Sequence, residues 1–170
     1  MKILTNTKNF YNLENFAKDV ECLIKHKSIT NTVIVGHCFG GMVSIYFQTL
    51  FPKLSKGLIL VDTGYKPPFI SNNIVSKILL SRIFNLLVKV VPNTHQRGHA
   101  NFDQFVGTQD LDFKRILSDI LHTSLKSYLM LCNSLVNLNA EKLLEKITVP
   151  TLVVEGTKDS IFPPDIAQIL

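Results

Sequence analysis

The sequence predicts an α/β fold in which a parallel sheet packs against helices. Three short apolar runs rich in β-branched residues lack polar alternation, so they indicate buried strands. Segments with helical spacing separate these runs, which is the order that a parallel sheet requires. The chain has 170 residues, of which 46% are hydrophobic and 18% charged, and this composition fits one globular domain.

The first two strands alternate with helices. Residues 11–27 carry apolar side chains at helical spacing, which predicts a helix with one buried face. The run "NTVIVG", 31–36, is the first strand, and the helix over 40–52 ends at a proline, which cannot continue it. The run "KGLILVD", 56–62, is the second strand. Strands of this kind predict a sheet that helices cover on both faces.

The part between Gly64 and Ile147 contains no strand signal. Apolar helical patterns over 73–91 and 112–138 predict an insertion of helices, with one or two helices in the second pattern. The interpretation therefore divides the chain into a first core part, a helical insertion and a second core part. Their bounds are 1–64, 65–147 and 148–170.

The third strand follows the insertion. It is the run "VPTLVVEG", 149–156, and a last helix begins at Pro164 or Asp165 and stops within two turns. Three strands are few for a stable sheet with two covered faces. We therefore expect a core that is incomplete at both ends.

Charge and cysteine content restrict the partners and the compartment. The net charge of +5 comes from 18 basic and 13 acidic residues that are scattered, which predicts a solvated basic surface rather than a nucleic-acid site. Three cysteines without paired or zinc-type spacing, and no secretory signal, predict a reduced protein of the cytoplasm. Charges interrupt the apolar segment 74–91, so a packed core of the insertion is favoured over membrane contact.

The stretch "VIVGHCFGGM", 33–42, places one cysteine where the first strand becomes a helix. A nucleophile elbow has a nucleophilic residue with a glycine two positions before it and another two positions after it, between a strand and a helix. The stretch 36–40 fits this pattern. The central residue, Cys38, is expected in a strained turn, and β-carbons at Gly36 and Gly40 are expected to clash there. Gly41 is expected to let the helix pack closely. The alternative is a buried structural cysteine in a tight turn.

The position at a helix N-terminus has chemical consequences for Cys38. Backbone N–H groups and the positive end of the helix dipole favour a thiolate, and the N–H of Phe39 is the expected donor to an oxyanion. Cys22 and Cys132 are expected on apolar helix faces. The sequence therefore predicts that Cys38 is the most reactive of the three thiols.

Nearly the whole chain resembles the α/β-hydrolase superfamily. The stretch "VIVGHCFGGMVSIYFQTLFPKLSKGLILVDTG" is similar to the elbow, the next helix and the next strand of that family, and "YNLENFAKDVECLI" to the helix before them. The stretch "ITVPTLVVEGTKDSIFPPDIA" resembles a later strand and the loop that carries the catalytic acid. The helical insertion stands where the family has its variable cap.

The resemblance implies a hydrolase of ester, thioester or related acyl bonds, with a small acyl substrate and no metal or organic cofactor. Cys38 stands at the position of the nucleophile, which is commonly serine, although dienelactone-hydrolase-like members use cysteine. Asp159 stands at the position of the triad acid, and Asp62, after the second strand, is the alternative acid or a turn cap. The competing hypothesis is a truncated, catalytically inactive binding member.

The family's catalytic histidine is expected after the acid, and no histidine of this sequence follows Asp159. The elbow is expected to point His37 away from Cys38, which leaves it a supporting role. His95 or His99 of the insertion could substitute as the base, but a surface position is the favoured interpretation. The loop that supplies the family's second oxyanion donor is expected to precede Met1.

Overall fold

A computed structural model of the chain describes residues 10–67, 73–92, 103, 106–107, 112–159, 161–162 and 164–170. In chain order its helices and strands are α1 (Leu13–His26), β1 (Thr32–His37), α2 (Phe39–Leu50), β2 (Ser55–Val61), α3 (Ile74–Val90), α4 (Phe113–Thr123), α5 (Leu125–Leu135), α6 (Glu141–Leu144), β3 (Thr151–Val154) and α7 (Pro164–Ala167). The predicted elements are thus present, and the second helical pattern forms two helices because the chain turns at Ser124, with φ of 86°.

The chain folds into two compact units. One combines Met1–Phe69 with Asn137–Leu170, and the other is Ile70–Val136. The second unit contains fewer residues than the predicted insertion, 65–147, because the residues after 136 pack with the sheet-bearing unit. The N–H of Ala140 donates to the carbonyl of Tyr65 at 2.8 Å, and both residues are buried in the core beside β2.

The three strands form one parallel sheet in the order β1-β2-β3. Gly36 lies opposite Leu60, and Leu60 lies opposite Val153. This arrangement confirms the predicted fold class. It also brings the carboxyl ends of all three strands to the same edge of the sheet, where parallel α/β proteins build their sites.

Helices α1 and α2 cover one face of the sheet. Ala17 and Ile24 of α1 and Phe47 of α2 form a buried cluster against Ile34 of β1. At the start of α1, the side chain of Asn12 accepts a hydrogen bond from the N–H of Asn15 at 2.8 Å, which satisfies one of the amides left free at a helix terminus.

The other face of the sheet is open in the part of the chain that the structure describes. Val33 and Val35 of β1 are 51% and 64% exposed, and Leu152 and Val154 of β3 are 56% and 44% exposed. The register places Val35, Ile59 and Leu152 in one row across this face. The prediction of a sheet covered on both faces is therefore wrong for the described residues.

The second unit consists of α3, α4 and α5. Helices α3 and α4 both contact α5, and the hydroxyl of Ser81 donates to the side-chain oxygen of Asn133 at 3.0 Å. None of the residues of α3 is buried; Ile74 and Val90, near its two ends, are about 70% exposed. The predicted packed core is therefore not found along α3. None of the described helices combines the length and the apolar content that crossing a membrane requires.

Candidate active site

The carboxyl ends of the strands position the candidate site. The N–H of Cys38, after β1, donates to the carbonyl of Val61 at 3.0 Å, and the N–H of Asp62, after β2, donates to the carbonyl of Val154 at 2.9 Å. The hydrogen bonds of the sheet thus continue to two candidate site residues, Cys38 and Asp62. Asp159 lies in the loop after β3, where its N–H donates to the carbonyl of Gly156 at 3.0 Å.

Cys38 occupies the strained turn that the sequence predicts. Its φ is 52° and its ψ is −120°, a conformation that a residue with a β-carbon rarely adopts and that the surrounding structure must hold. Its carbonyl accepts two hydrogen bonds, from the N–H of Gly41 at 3.0 Å and from the hydroxyl of Thr63 at 2.6 Å. The turn is thus fixed both from its own helix and from the loop after β2.

The three glycines around the turn differ in the space that a β-carbon would have. A β-carbon at Gly36 would lie 2.5 Å from the carbonyl oxygen of Gly40, and one at Gly41 would lie 2.5 Å from Cγ2 of Thr63. These two contacts are too short for any real β-carbon. The clash expected at Gly40 is not found, because a β-carbon there would meet no atom within 4 Å.

The loop after β3 holds Asp159 through its own backbone. One carboxylate oxygen, Oδ1, accepts the N–H of Ile161 at 2.6 Å and the N–H of Phe162 at 2.9 Å. Phe162 is 3% exposed, so it anchors the loop in the core. The two amide bonds use the same oxygen, which leaves Oδ2 for a further donor.

Asp62 bridges two strand ends rather than capping its own turn. Its Oδ1 accepts the N–H of Gly156 at 2.9 Å, and its Oδ2 lies 3.9 Å from Nε2 of His37. The His37 side chain is 69% exposed. The distance of 3.9 Å is longer than a hydrogen bond, so Asp62 is the nearest acidic neighbour of His37 and the supporting role of His37 stays a prediction.

The environment of Cys38 opposes ionisation of its thiol. Burial is the largest effect and raises the pKa of Cys38, and the negative charges of Asp159 and Asp62 raise it further. Only the hydrogen bond from the backbone N–H of Phe39 lowers this pKa. The first amide of α2 thus acts in the predicted direction, but burial and the two carboxylates outweigh it, so the net shift opposes the predicted thiolate.

The other two thiols differ from each other. Cys22 is exposed, so its predicted place on the apolar face of α1 is wrong. Cys132 is half-buried, and burial raises the pKa of its thiol. Of the three cysteines, only Cys22 is both exposed and away from the carboxylates of the site. The structure therefore does not support the prediction that Cys38 is the most reactive thiol.

Glu155 is a member of the site that the sequence analysis missed. It follows β3 directly, and carboxylate oxygens of Asp62, Glu155 and Asp159 lie within 4.8 Å of one another. Burial, then the charges of Asp159 and Asp62, raise the pKa of Glu155 to about 7. The sequence signal that could have identified Glu155 is its position as an acidic residue directly after the third strand. Three carboxyl groups alone do not identify a metal site, and we assign no cation to them.

The described residues bring no histidine into hydrogen-bond contact with the Cys38 thiol. His122, on α4, contacts the carbonyl of Ser118 at 2.7 Å through Nδ1. His95 and His99 lie outside the described residues. The geometry therefore joins a candidate nucleophile, its adjacent amide and two candidate acids, while the position of a base is left open.

A cleft of about 440 Å³ lies beside β1 in the sheet-bearing unit. Its lining residues, from α1, β1 and α2, are Phe16, Asp19, Val20, Val33, Ile34, Val35, Gly40, Val43 and Ser44. Neither Cys38 nor Asp159 is among them. Gly40 is the one residue of the candidate site that lines this cleft.

An esterase and a lipase are among the curated proteins that are similar to the chain. One is a pimeloyl-[acyl-carrier protein] methyl ester esterase of Wigglesworthia glossinidia brevipalpis, 26% identical over 166 residues, which are 94% of this chain and 63% of that protein. The other is Lipase 3 of a Moraxella species, 27% identical over 155 residues, 83% of this chain and 45% of that protein. The chain thus spans about half to two thirds of the length of these relatives.

Solved structures show the same fold at low identity. A hydrolase from Oleispira antarctica superposes with a TM-score of 0.66 at 19% identity, over 98% of this chain and 62% of that one. An enol-lactonase from Burkholderia xenovorans superposes with a TM-score of 0.63 at 19% identity, over 94% and 60%. Residues 4–170 match a protein family whose description is alpha/beta hydrolase fold. With this match over almost its full length, the chain belongs to the α/β-hydrolase family.

Proposed function

We propose that this chain carries the nucleophile and the acid of an enzyme that hydrolyses esters, thioesters or related acyl bonds. The strained turn at Cys38 is the observation that carries the proposal, since a strained, non-glycine residue between a strand and a helix presents its side chain for reaction. The names of the two relatives, a methyl ester esterase and a lipase, support an ester as the substrate.

In the proposed reaction, Sγ of Cys38 attacks the acyl carbon and its proton passes to a base. The N–H of Phe39 donates to the oxyanion that forms, and collapse of the intermediate releases an alcohol or thiol and leaves an acyl-cysteine. Water then hydrolyses the acyl-cysteine. Oδ2 of Asp159, which the loop amides leave available, would orient the base, and Asp62 is the second candidate for this role.

The helical unit Ile70–Val136 interrupts the sheet-bearing unit between β2 and β3. From this place in the sequence we assign it the role of a cap that selects a small acyl substrate. The three cysteines are unpaired, which supports a reducing compartment, the cytoplasm, as the place of action.

One observation favours a second candidate, an inactive member that binds acyl compounds without cleaving them. The Cys38 thiol has a raised pKa, and the described residues offer it no histidine. A thiol that stays protonated is a poor nucleophile. The two candidates differ in whether Cys38 becomes acylated.

Acylation can be measured with p-nitrophenyl acetate. The variant Cys22→Ala/Cys132→Ala leaves Cys38 as the only thiol, so intact mass spectrometry then reports on that residue. The proposed function predicts a burst of p-nitrophenolate and one acetyl group per chain, both lost on adding Cys38→Ala. An acetyl group that persists without Cys38, or no burst in either protein, would support binding without cleavage.

A further inference from the structure

We propose that Thr63 is a positioning residue of the candidate site, whose hydroxyl aims the N–H of Phe39 at the sulfur of Cys38 by holding the peptide group that joins these two residues. Thr63 binds the backbone of Cys38, so it acts through this peptide group rather than on the thiol directly. The proposal rests on the proposed function only in giving the Phe39 N–H a use in the reaction, as the donor to the oxyanion.

Both backbone polar groups of Cys38 bind the segment at the end of β2. The N–H of Cys38 donates to the carbonyl of Val61 at 3.0 Å, and its carbonyl accepts the hydroxyl of Thr63 at 2.6 Å. Between these two partners the chain turns at Asp62, whose φ is 43°, and Thr63 follows this turn. Three consecutive residues, 61–63, thus fix the backbone of Cys38 on both sides of its α-carbon.

The carbonyl in front of α2 is bound differently from those in front of α1, α3, α4 and α5. In these four helices the carbonyl of the preceding residue accepts the N–H of the residue four positions later. The carbonyl of Cys38 accepts the N–H of Gly41, three positions later, at 3.0 Å, and the hydroxyl of Thr63. Gly41 leaves room for this hydroxyl, because a β-carbon at position 41 would collide with Oγ1 of Thr63. Thr63 therefore helps to set the direction of this carbonyl.

The direction of the Cys38 carbonyl determines the direction of the Phe39 N–H. Both belong to one planar trans peptide group, in which the C=O and the N–H point in opposite directions. The N–H of Phe39 donates to the thiol of Cys38, and this hydrogen bond lowers the pKa of the thiol. A donor on the carbonyl also polarises the peptide group and strengthens its N–H as a donor. The hydroxyl of Thr63 thus both orients and strengthens the Phe39 N–H.

Loss of the Thr63 hydroxyl should raise the pKa of Cys38 further. The hydrogen bond from Phe39 weakens, while burial and the charges of Asp159 and Asp62, which raise this pKa, stay in place. A role of Thr63 in stability alone predicts the opposite sign. A loosened turn would admit water to Cys38 and relieve the burial that raises its pKa, so the thiol would react faster. One measured quantity therefore separates the two roles.

The test is the pH profile of iodoacetamide alkylation in the variant Cys22→Ala/Cys132→Ala, with and without Thr63→Val. We expect Thr63→Val to displace the profile to higher pH by about half a unit and to slow alkylation about threefold below its midpoint, within the net effect of one hydrogen bond. Thr63→Ser keeps the donor and should restore the parent profile. The matched control is Thr49→Val, since the hydroxyl of Thr49 donates to the carbonyl of Ile45 at 2.9 Å elsewhere on α2. It should leave the profile unchanged.

Unchanged or faster alkylation with Thr63→Val, a shift that Thr63→Ser does not restore, or an equal shift with Thr49→Val would overturn the proposal. A second measurement needs no variant at position 63. In ¹H–¹⁵N NMR spectra, the amide proton of Phe39 should move downfield as Cys38 ionises, because its N–H points at the sulfur. A Phe39 amide that does not respond to this titration would show that the proposal is wrong. Neither readout uses an acyl substrate, so both stand apart from the test of hydrolysis.

Discussion

The hydroxyl of Thr63 donates a hydrogen bond of 2.6 Å to the backbone carbonyl of Cys38, 25 residues earlier in the chain. Thr63 is 1% exposed and also contacts the helix that starts at the elbow, since a β-carbon on Gly41 would collide with it. One side chain after β2 thus holds both the strained residue and the first turn of α2. The strain at Cys38 is offset by contacts that the sheet brings from a distant part of the sequence.

Replacing Thr63 by valine should lower the free energy of unfolding by about 1 kcal/mol, the usual net value of one hydrogen bond. Valine keeps the shape and loses the donor, while the Cys38 carbonyl keeps the N–H of Gly41. Thr63→Ser keeps the donor and is the matched control for the hydroxyl. Urea unfolding followed by circular dichroism measures both. A larger loss in the serine variant would show that the methyl group, and not the bond, holds the elbow.

Gly41→Ala and Gly40→Ala should change stability in opposite directions. The new methyl group at position 41 would lie 2.5 Å from Cγ2 of Thr63, and relieving such a contact costs about 1–3 kcal/mol. At position 40 the methyl group meets open space, and alanine in a helix is favoured over glycine by up to about 1 kcal/mol. The same unfolding experiment compares the two. Equal losses in both would contradict the geometry of the turn.

The sequence was sufficient for the elements that local patterns determine. Helical spacing, β-branched runs and the glycines of the elbow predicted the helices, the parallel strands and the strained turn at Cys38. Each depends on residues close in sequence. The parallel order of the strands followed because helices separate them, whereas the candidate acids, Asp159 and Asp62, came from the resemblance to the α/β-hydrolase family.

Exposure and charge were not predictable in the same way. The prediction of a thiolate at Cys38 took into account only the helix that begins there. The pKa of Cys38 is raised by burial and by Asp159 and Asp62, which follow other strands. Similarly, α3 has a strongly apolar sequence, yet none of its residues is buried. Such properties depend on which elements pack together, and a single sequence does not specify that.

Iodoacetamide at pH 7.5, about neutral, should modify Cys22 before Cys38 and Cys132. Cys22 is exposed, while burial raises the pKa values of the other two thiols. Peptide mass spectrometry over time gives the order.

Asp159→Asn should speed the modification of Cys38 alone, because it removes a charge that raises the pKa of that thiol and keeps an oxygen for the loop amides. Fastest labelling of Cys38 in the unaltered chain would instead indicate a thiolate.

Glu155→Gln should stabilise the fold at pH 8 and not at pH 4. The pKa of Glu155 is raised from 4.5 to about 7 in the folded chain, so between these values the folded state binds more protons than the unfolded state. The free energy of unfolding then falls as the pH rises through this interval, and it stays lowered above pH 7. Glutamine has no such dependence. Thermal unfolding across pH, with Glu145→Gln as control, should show the gap between variant and parent widening from pH 4.5 to 7.

The last prediction concerns the base that the described site lacks. Imidazole added in solution should speed loss of the acetyl group from Cys38, because Oδ2 of Asp159 can orient an imidazole ring beside the acyl-cysteine. Free imidazole also attacks thioesters directly, so the comparison is with acetylated Cys22 in a Cys38→Ala/Cys132→Ala variant, a thioester exposed on α1.

We expect imidazole to accelerate deacetylation of Cys38 about tenfold more than that of Cys22, at the lower end of what a positioned base contributes. Asp159→Asn should remove this advantage, because the amide cannot stabilise the imidazolium that forms. If instead Asp62→Asn removes it and Asp159→Asn does not, Asp62 is the acid of the site. Equal acceleration at the two cysteines would mean that neither carboxylate orients a base, and the proposed hydrolytic role of the edge formed by β1, β2 and β3 would then be wrong.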